Sequence, residues 1–181
     1  MARNVEIKAR IDSIEALLPL ALACADGPAE LIAQDDTFFP CAAGRLKLRV
    51  FADGRGELIA YERPDAAGPK TSHYAITPVA DPDALRATLT RALGLGGRVL
   101  KQRTLLHVGR TRVHLDRVER LGDFMELEVV LRDGESADAG VAVAHALLRR
   151  LQVDPSRLVA GAYVDLLALR AAPKPTGAGS A

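Results

Sequence analysis

The feature that most constrains the fold is an alternation that begins at residue 4. In Asn4-Val5-Glu6-Ile7-Lys8-Ala9-Arg10 the apolar side chains take one parity and the polar ones the other, and Ile11 extends the apolar set. A period of two belongs to an extended strand with one buried face, because successive side chains leave opposite sides of the pleat. The polar parity carries both charge signs two residues apart. The same device recurs at Arg45 to Phe51, where Leu46, Leu48 and Val50 oppose Arg45, Lys47 and Arg49. Later, Met125, Leu127, Val129 and Leu131 oppose Glu126 and Glu128, and Arg112, His114 and Asp116 share one parity.

Punctuation between these segments orders the elements. Asp12-Ser13-Ile14-Glu15 reads as a capping box opening a helix over 13–22, and Gly27-Pro28 breaks the chain. Residues 30–41 read as extended. Asp53-Gly54-Arg55-Gly56 turns strand 45–51 back into strand 57–63, and a loop from Pro64 to Pro69 leads to a strand over 70–79. Asp81-Pro82 opens a helix with Leu85, Leu89 and Leu93 four apart, stopped by Gly94. Strands follow over 98–108, 111–118 and 124–131. An amphipathic helix over 137–151 and a partly helical stretch over 157–169 come last. The expected fold is α+β, one domain over 1–170. Its sheet has roughly eight strands, mostly antiparallel because most connections are short turns. A tail from 171, rich in Pro, Gly, Ser and Ala, is expected to be disordered.

Composition removes several functions. A net charge of +1 does not suit a chain that coats polyanions by bulk charge, though a local basic cluster can hide in that sum. Aromatic residues are 4% of the chain, too few for a base-stacking surface, so nucleic acid is not expected as a partner. No apolar run approaches the ~20 residues of a membrane span and no leader precedes the first strand, so no membrane partner and a cytoplasmic setting are expected. Cys24 and Cys41 lack companions at metal-ligand spacing and read as buried thiols. Neither a P-loop nor a dinucleotide-binding glycine motif is present.

The charged parities carry the functional argument. The helices at 13–22, 81–94 and 137–151 each need apolar surface to cover, which the strands' apolar faces supply. The charged faces then lie on the other side of the sheet, and if the sheet closes they point into one lumen. That lumen would hold Lys8, Lys47, Arg49, Arg63, Lys101, Arg103 and Arg112 together with Glu6, Asp116, Glu126 and Glu128. A polyanion bound with divalent cations satisfies both sets, since carboxylates take Mg²⁺ or Mn²⁺ and basic groups take phosphate oxygens. Triphosphate is such a guest.

At this point the sequence resembles the CYTH superfamily of class IV adenylyl cyclases, thiamine triphosphatases and inorganic tripolyphosphatases, and the class IV cyclase branch in particular. The family's first strand carries Glu-x-Glu-x-Lys; here Asn4-x-Glu6-x-Lys8 keeps the second Glu and the Lys. Leu48-Arg49, Lys101-x-Arg103 and Asp116 resemble its inward positions, and Gly122-Asp123-Phe124 leading to Glu126-x-Glu128 resembles its late metal-binding strand. Arg63 in Tyr61-Glu62-Arg63-Pro64-Asp65, and Ala162-Tyr163-Val164-Asp165-Leu166-Leu167, resemble features of the cyclase branch. The resemblance spans residues 3–168.

It implies a metal-dependent enzyme with a nucleoside triphosphate in a charged tunnel, converting ATP to cyclic AMP and pyrophosphate. A phosphohydrolase of thiamine triphosphate or tripolyphosphate, and a non-catalytic polyphosphate- or nucleotide-binding module, remain open, as does a homodimer. Implied metal ligands are Glu6, Glu126, Glu128 and Asp116, for Mg²⁺ or Mn²⁺. Implied triphosphate contacts are Lys8, Arg49, Arg63, Lys101 and Arg103, with Lys47, Lys70 and Arg112 beside them. Glu6, Lys8 and Asp116 are the implied catalytic groups. Asn4 brings an amide in place of a charge, which weakens any cation held there. Asp35 and Asp36 stay open between a place near the metal and a turn or cap, with the turn or cap preferred. The four histidines show no ligand spacing, although His114 shares the parity of Asp116.

Overall fold

The computed structural model describes residues 2–172. Eight strands form one sheet: β1 (Ala2–Arg10), β2 (Glu30–Phe39), β3 (Arg45–Phe51), β4 (Gly56–Glu62), β5 (Lys70–Val79), β6 (Gly97–Val108), β7 (Thr111–Val118) and β8 (Gly122–Val130). They close in the order β1-β5-β4-β3-β2-β6-β7-β8, with β8 returning to β1 and every neighbouring pair antiparallel. Four helices lie outside or at one end: α1 (Ile14–Cys24), α2 (Pro82–Leu93), α3 (Ala137–Arg150) and α4 (Tyr163–Ala171). No helix among the described residues is long and apolar enough to cross a membrane.

The larger core lies on the barrel's outer surface. Val5, Ile7 and Ala9 of β1, Leu106 of β6, Val113 and Leu115 of β7 and Met125, Leu127 and Val129 of β8 are wholly buried there. α1 covers them with Ile14, Leu17 and Ala21, and α3 with Ala144, Leu147 and Leu148. Each large side chain so buried contributes roughly 1.5–3 kcal/mol, so these contacts fix which strand parity faces inward. α3 approaches closely at Gly140, where an added Cβ would meet Leu131 Cδ2 at 2.7 Å and Val5 Cγ2 at 2.8 Å.

α2 departs from the expected pattern. It buries only Pro82, and Leu93 stays exposed. The strands beneath present Asp35 and Thr37, so Arg86 ties the helix down through these two residues, at 3.2 Å each. A second apolar cluster of Phe38, Val99, Val118, Leu121, Phe124 and Tyr163, backed by Val164, Leu166 and Leu167, fills one end of the barrel beneath α4.

Boundaries shift for local reasons. α1 starts after Ser13, whose Oγ accepts from Ala16 N at 3.1 Å, while Glu15 takes Arg117 instead of closing a capping box. β2 stops at Phe39 because Pro40 offers no N–H to the ladder. The segment expected to be helical over 157–169 begins as a short turn at Pro155–Arg157 and runs extended until α4. In that extended stretch Val159 N donates to Lys8 O at 2.9 Å. Both cysteines are free thiols, but Cys24 is half-buried and Cys41 exposed, correcting their reading as buried. The expected tail falls mostly outside the described residues; Ala171 still belongs to α4.

Candidate functional site

The closed sheet turns its charged parity into one cavity of about 400 Å³. Register decides which side chains meet there. Glu6 lies opposite Glu128, Lys8 opposite Glu126, His114 opposite Glu126, Arg103 opposite Asp116 and Arg49 opposite Asp36. Cross-strand partners on one face stand about 5 Å apart at Cβ, so each pairing sets an electrostatic contact before any loop contributes.

One wall is basic. Asp36 accepts from Arg49 Nε and Nη2 at 2.7 Å each and from Lys47 Nζ at 2.8 Å. Beside it, Asp116 accepts from Arg103 Nε at 2.7 Å and Nη2 at 2.6 Å, Lys101 Nζ at 2.9 Å and the Tyr163 hydroxyl at 3.1 Å. Burial opposes both carboxylate charges, yet the Arg49–Lys47 and Arg103–Lys101 pairs hold them far below the usual range. Four cations thus share two carboxylates. Burial and the neighbouring Arg103 push Lys101 down to about 8.

The other wall is acidic. Glu126 meets Lys8 at 3.3 Å and Arg103 at 3.0 Å, and Glu128 takes Arg112 through Nε at 2.9 Å and Nη2 at 2.7 Å. Arg63 Nε stands 3.5 Å from Glu6. Its Nη2, like Lys8 Nζ, donates to Gly161 O, at 3.1 and 3.3 Å respectively. Burial and the Glu126 charge push Glu6 up to about 7. Burial works against the Glu126 charge as well, but Lys8, the His114 ring nitrogen 3.5 Å away and Arg103 outweigh it and hold Glu126 well below the usual range. Burial, with Arg103, keeps the His114 imidazole neutral by lowering it.

Several groups on this wall are buried and unspent. Asn4 Oδ1, Glu6 Oε1, Arg63 Nη1 and His114 Nδ1 have no hydrogen-bond partner. A buried polar atom left without a partner costs about 1–3 kcal/mol, so a cluster of them aimed at one cavity is suited to a ligand. Ligand atoms of His114, Glu126 and Glu128 lie within 4.8 Å of one another. Together with Asn4 and Glu6 they form a donor set of oxygens and one imidazole nitrogen, and that set fits a divalent cation such as Mg²⁺ or Mn²⁺.

The residues singled out from the sequence fall into distinct places. Glu6, Lys8, Lys47, Arg49, Arg63, Lys101, Arg103, Arg112, Glu126 and Glu128 all border the cavity. Lys70 is buried in the wall, bonded to Ala66 O at 3.2 Å, and does not border it. Asp116 has no exposed surface, and both its oxygens are taken by the basic wall, which sets it apart from the open carboxylates expected to meet a cation. Asp36, read as a turn residue, sits in β2 facing inward; Asp35 faces outward to Arg86 and Arg98. His114 joins the acidic wall without any sequence spacing to announce it.

Eight antiparallel strands closed round a buried lumen of mixed charge, with one end stopped by a helix, define a charged-tunnel barrel. The chain belongs to the CYTH domain family, whose model matches residues 2–163. Among solved structures, the PH1012 protein of Pyrococcus horikoshii has a TM-score of 0.79 at 21% identity, covering 90% of this chain and 98% of that one. An adenylate cyclase candidate of Vibrio parahaemolyticus gives 0.74 at 20% identity, covering 91% and 97%. An adenylyl cyclase candidate of Hippeastrum, described as having a dominant triphosphatase activity, gives 0.62 at 14% identity, covering 94% and 95%. At these identities the likeness establishes the fold. No curated protein sequence matches the chain.

Proposed function

We propose that the protein is a divalent-cation-dependent enzyme that binds a nucleoside triphosphate in its tunnel and converts ATP to cyclic AMP and pyrophosphate. The observation that carries this is the facing of two buried walls across one cavity. Lys47, Arg49, Lys101 and Arg103 converge on Asp36 and Asp116 on one side, with Arg103 reaching Glu126 as well, and unspent oxygen donors stand on the other. Arginine grips phosphate oxygens in pairs and lysine supplies a point charge. A bound triphosphate would therefore replace a surplus of buried positive charge with charge-assisted hydrogen bonds.

Glu6, Glu126 and Glu128, with Asn4 and His114 beside them, are the residues that would hold the cation. When bound, it neutralises phosphate oxygens and so lowers the cost of charge developing in the transition state. The chain's own part is positioning. Asp36 and Asp116 fix the guanidinium planes of Arg49 and Arg103, and Lys8 and Arg63 are anchored on Gly161 O. In cyclisation the ribose 3′-oxygen bonds to the α-phosphorus, the α–β anhydride breaks and the hydroxyl proton passes to solvent. The pyrophosphate charge stays on the basic wall. Asp116, fully engaged by that wall, acts as a positioning residue.

Hydrolysis is the second reading, favoured by the triphosphatase activity described for the Hippeastrum neighbour. Incubation with ATP, thiamine triphosphate and tripolyphosphate, each with Mg²⁺ or Mn²⁺, separates the readings. Cyclic AMP with pyrophosphate supports the first and orthophosphate the second. Thermal stabilisation without turnover would leave a binding module and overturn both.

A further inference from the structure

Glu128 differs from the other carboxylates of the acidic wall in what holds it. Glu6 keeps one buried oxygen without a partner, and Glu126 is shared between Lys8 and Arg103. Glu128 is gripped by Arg112, its cross-strand partner on β7. Both guanidinium nitrogens, Nε at 2.9 Å and Nη2 at 2.7 Å, donate to the same oxygen, Oε2. A matched fork puts one nitrogen on each carboxylate oxygen, as Arg103 does on Asp116. Here Oε1 is left over, 3.9 Å from His114 Nδ1.

Arg112 also stands apart in its exposure. The other ion-paired cations that border the cavity at Lys8, Lys47, Arg49, Arg63, Lys101 and Arg103 have side chains no more than 13% exposed, whereas that of Arg112 is 31% exposed. It lies one residue from the start of β7 and borders the cavity, so solvent and lumen are both within its reach. An ion pair open to water is a weak one, and a guanidinium finds better geometry on a phosphate, where two oxygens meet its fork. Glu128 is meanwhile one of the three residues, with His114 and Glu126, whose ligand atoms lie within 4.8 Å of one another. Carboxylate charge spent on Arg112 is charge withheld from a cation there.

We infer that Arg112 competes with the divalent cation for Glu128, and that an arriving phosphate draws the guanidinium away and opens the carboxylate to the cation. Arg112 is then a positioning residue, acting on the cation through Glu128 and coupling the filling of the acidic wall to the arrival of the anion. The inference rests on the cation site of the proposed function and adds to it a residue that opposes loading of the empty tunnel.

Mn²⁺ paramagnetic resonance on the full chain without nucleotide reads the competition directly. Arg112→Gln should tighten Mn²⁺ by about fivefold, the scale of one partly exposed ion pair no longer broken. Arg112→Lys keeps the charge without the fork and should fall between that variant and the wild type. Arg110→Gln removes an equal charge two residues away, from an arginine paired with Glu135, and should leave Mn²⁺ within twofold. Calorimetry in EDTA should show tripolyphosphate binding Arg112→Gln more weakly than the wild type, and unchanged thermal unfolding would show that the variants fold. Equal tightening by Arg110→Gln would reduce the effect to bulk charge and overturn the inference. Mn²⁺ affinity left unchanged or weakened by Arg112→Gln would also overturn it, with the cation site standing. If Mn²⁺ binds neither the wild type nor any variant, the cation site falls as well.

Discussion

Arg103 and Asp116 meet through both guanidinium-to-carboxylate bonds, at 2.7 and 2.6 Å, with no part of Asp116 exposed. Removing one member of such a pair strands the other in a low-dielectric wall. Asp116→Ala is therefore expected to destabilise the fold by about 3–5 kcal/mol, read by denaturant unfolding. It should also weaken tripolyphosphate binding, because Arg103 loses the partner that fixes its plane. A stability loss without loss of affinity would show that Arg103 needs no such support.

Asp36 competes with any phosphate for Arg49 and Lys47. Asp36→Asn should lower the melting temperature of the free protein. It should also enlarge the stabilisation by tripolyphosphate beyond that of the wild type, since the ligand then supplies the missing negative charge. Equal ligand shifts in both proteins would place phosphate away from Arg49.

Lys101 gives the binding a pH dependence of defined sign. Its amine, facing Arg103, Asp116, Arg49, Asp36 and Tyr163, sits at about 8, below its ordinary 10.5. A phosphate favours the charged form, so its contribution is full below pH 8 and fades above it. Proton uptake on tripolyphosphate binding, measured in buffers of different ionisation heat, should peak near pH 8–9. Lys101→Arg should flatten that feature, because the guanidinium stays charged throughout. Folding stability runs the other way: the folded chain binds fewer protons than the unfolded between about 8 and 10.5, so Lys101 costs less as pH rises through that window.

Asn4→Glu should tighten Mn²⁺ binding by about tenfold, by adding a charged oxygen to the acidic wall, as read by Mn²⁺ paramagnetic resonance without nucleotide. The added carboxylate joins Glu6, Glu126 and Glu128, so the cation-free protein should melt lower. Unchanged Mn²⁺ affinity would remove position 4 from the cation's surroundings.

Gly140→Ala tests the packing that orients β1. The new methyl must displace Leu131 and Val5, and overpacking of this kind costs about 1–3 kcal/mol. A neutral result in thermal unfolding would mean that α3 can shift without cost.

Period-two alternation exposed much of the barrel to reading from sequence, because β1, β6, β7 and β8 each have one face against α1 or α3 and one against the lumen. Lys8, Arg49, Lys101, Arg103, Glu126 and Glu128 were legible for that reason. Asp36 was not, since Asp35 beside it blurs the parity and an acidic pair resembles a turn. His114 showed only the parity it shares with Asp116; its place on the acidic wall arises from register with Glu126, which only the closed sheet creates. α2 misled for a related reason. Its leucine spacing promises an apolar seat, and the strands beneath supply Asp35 and Thr37 instead.

Tyr163, packed edge-on against Phe124 at 5.0 Å beneath α4, leaves the lumen no back door. Traffic is then single-file, and the piece that went in first comes out last. For a nucleotide entering by its phosphates, the cyclic product must clear the doorway before pyrophosphate can follow. Added pyrophosphate should therefore compete directly with ATP, while added cyclic AMP should not.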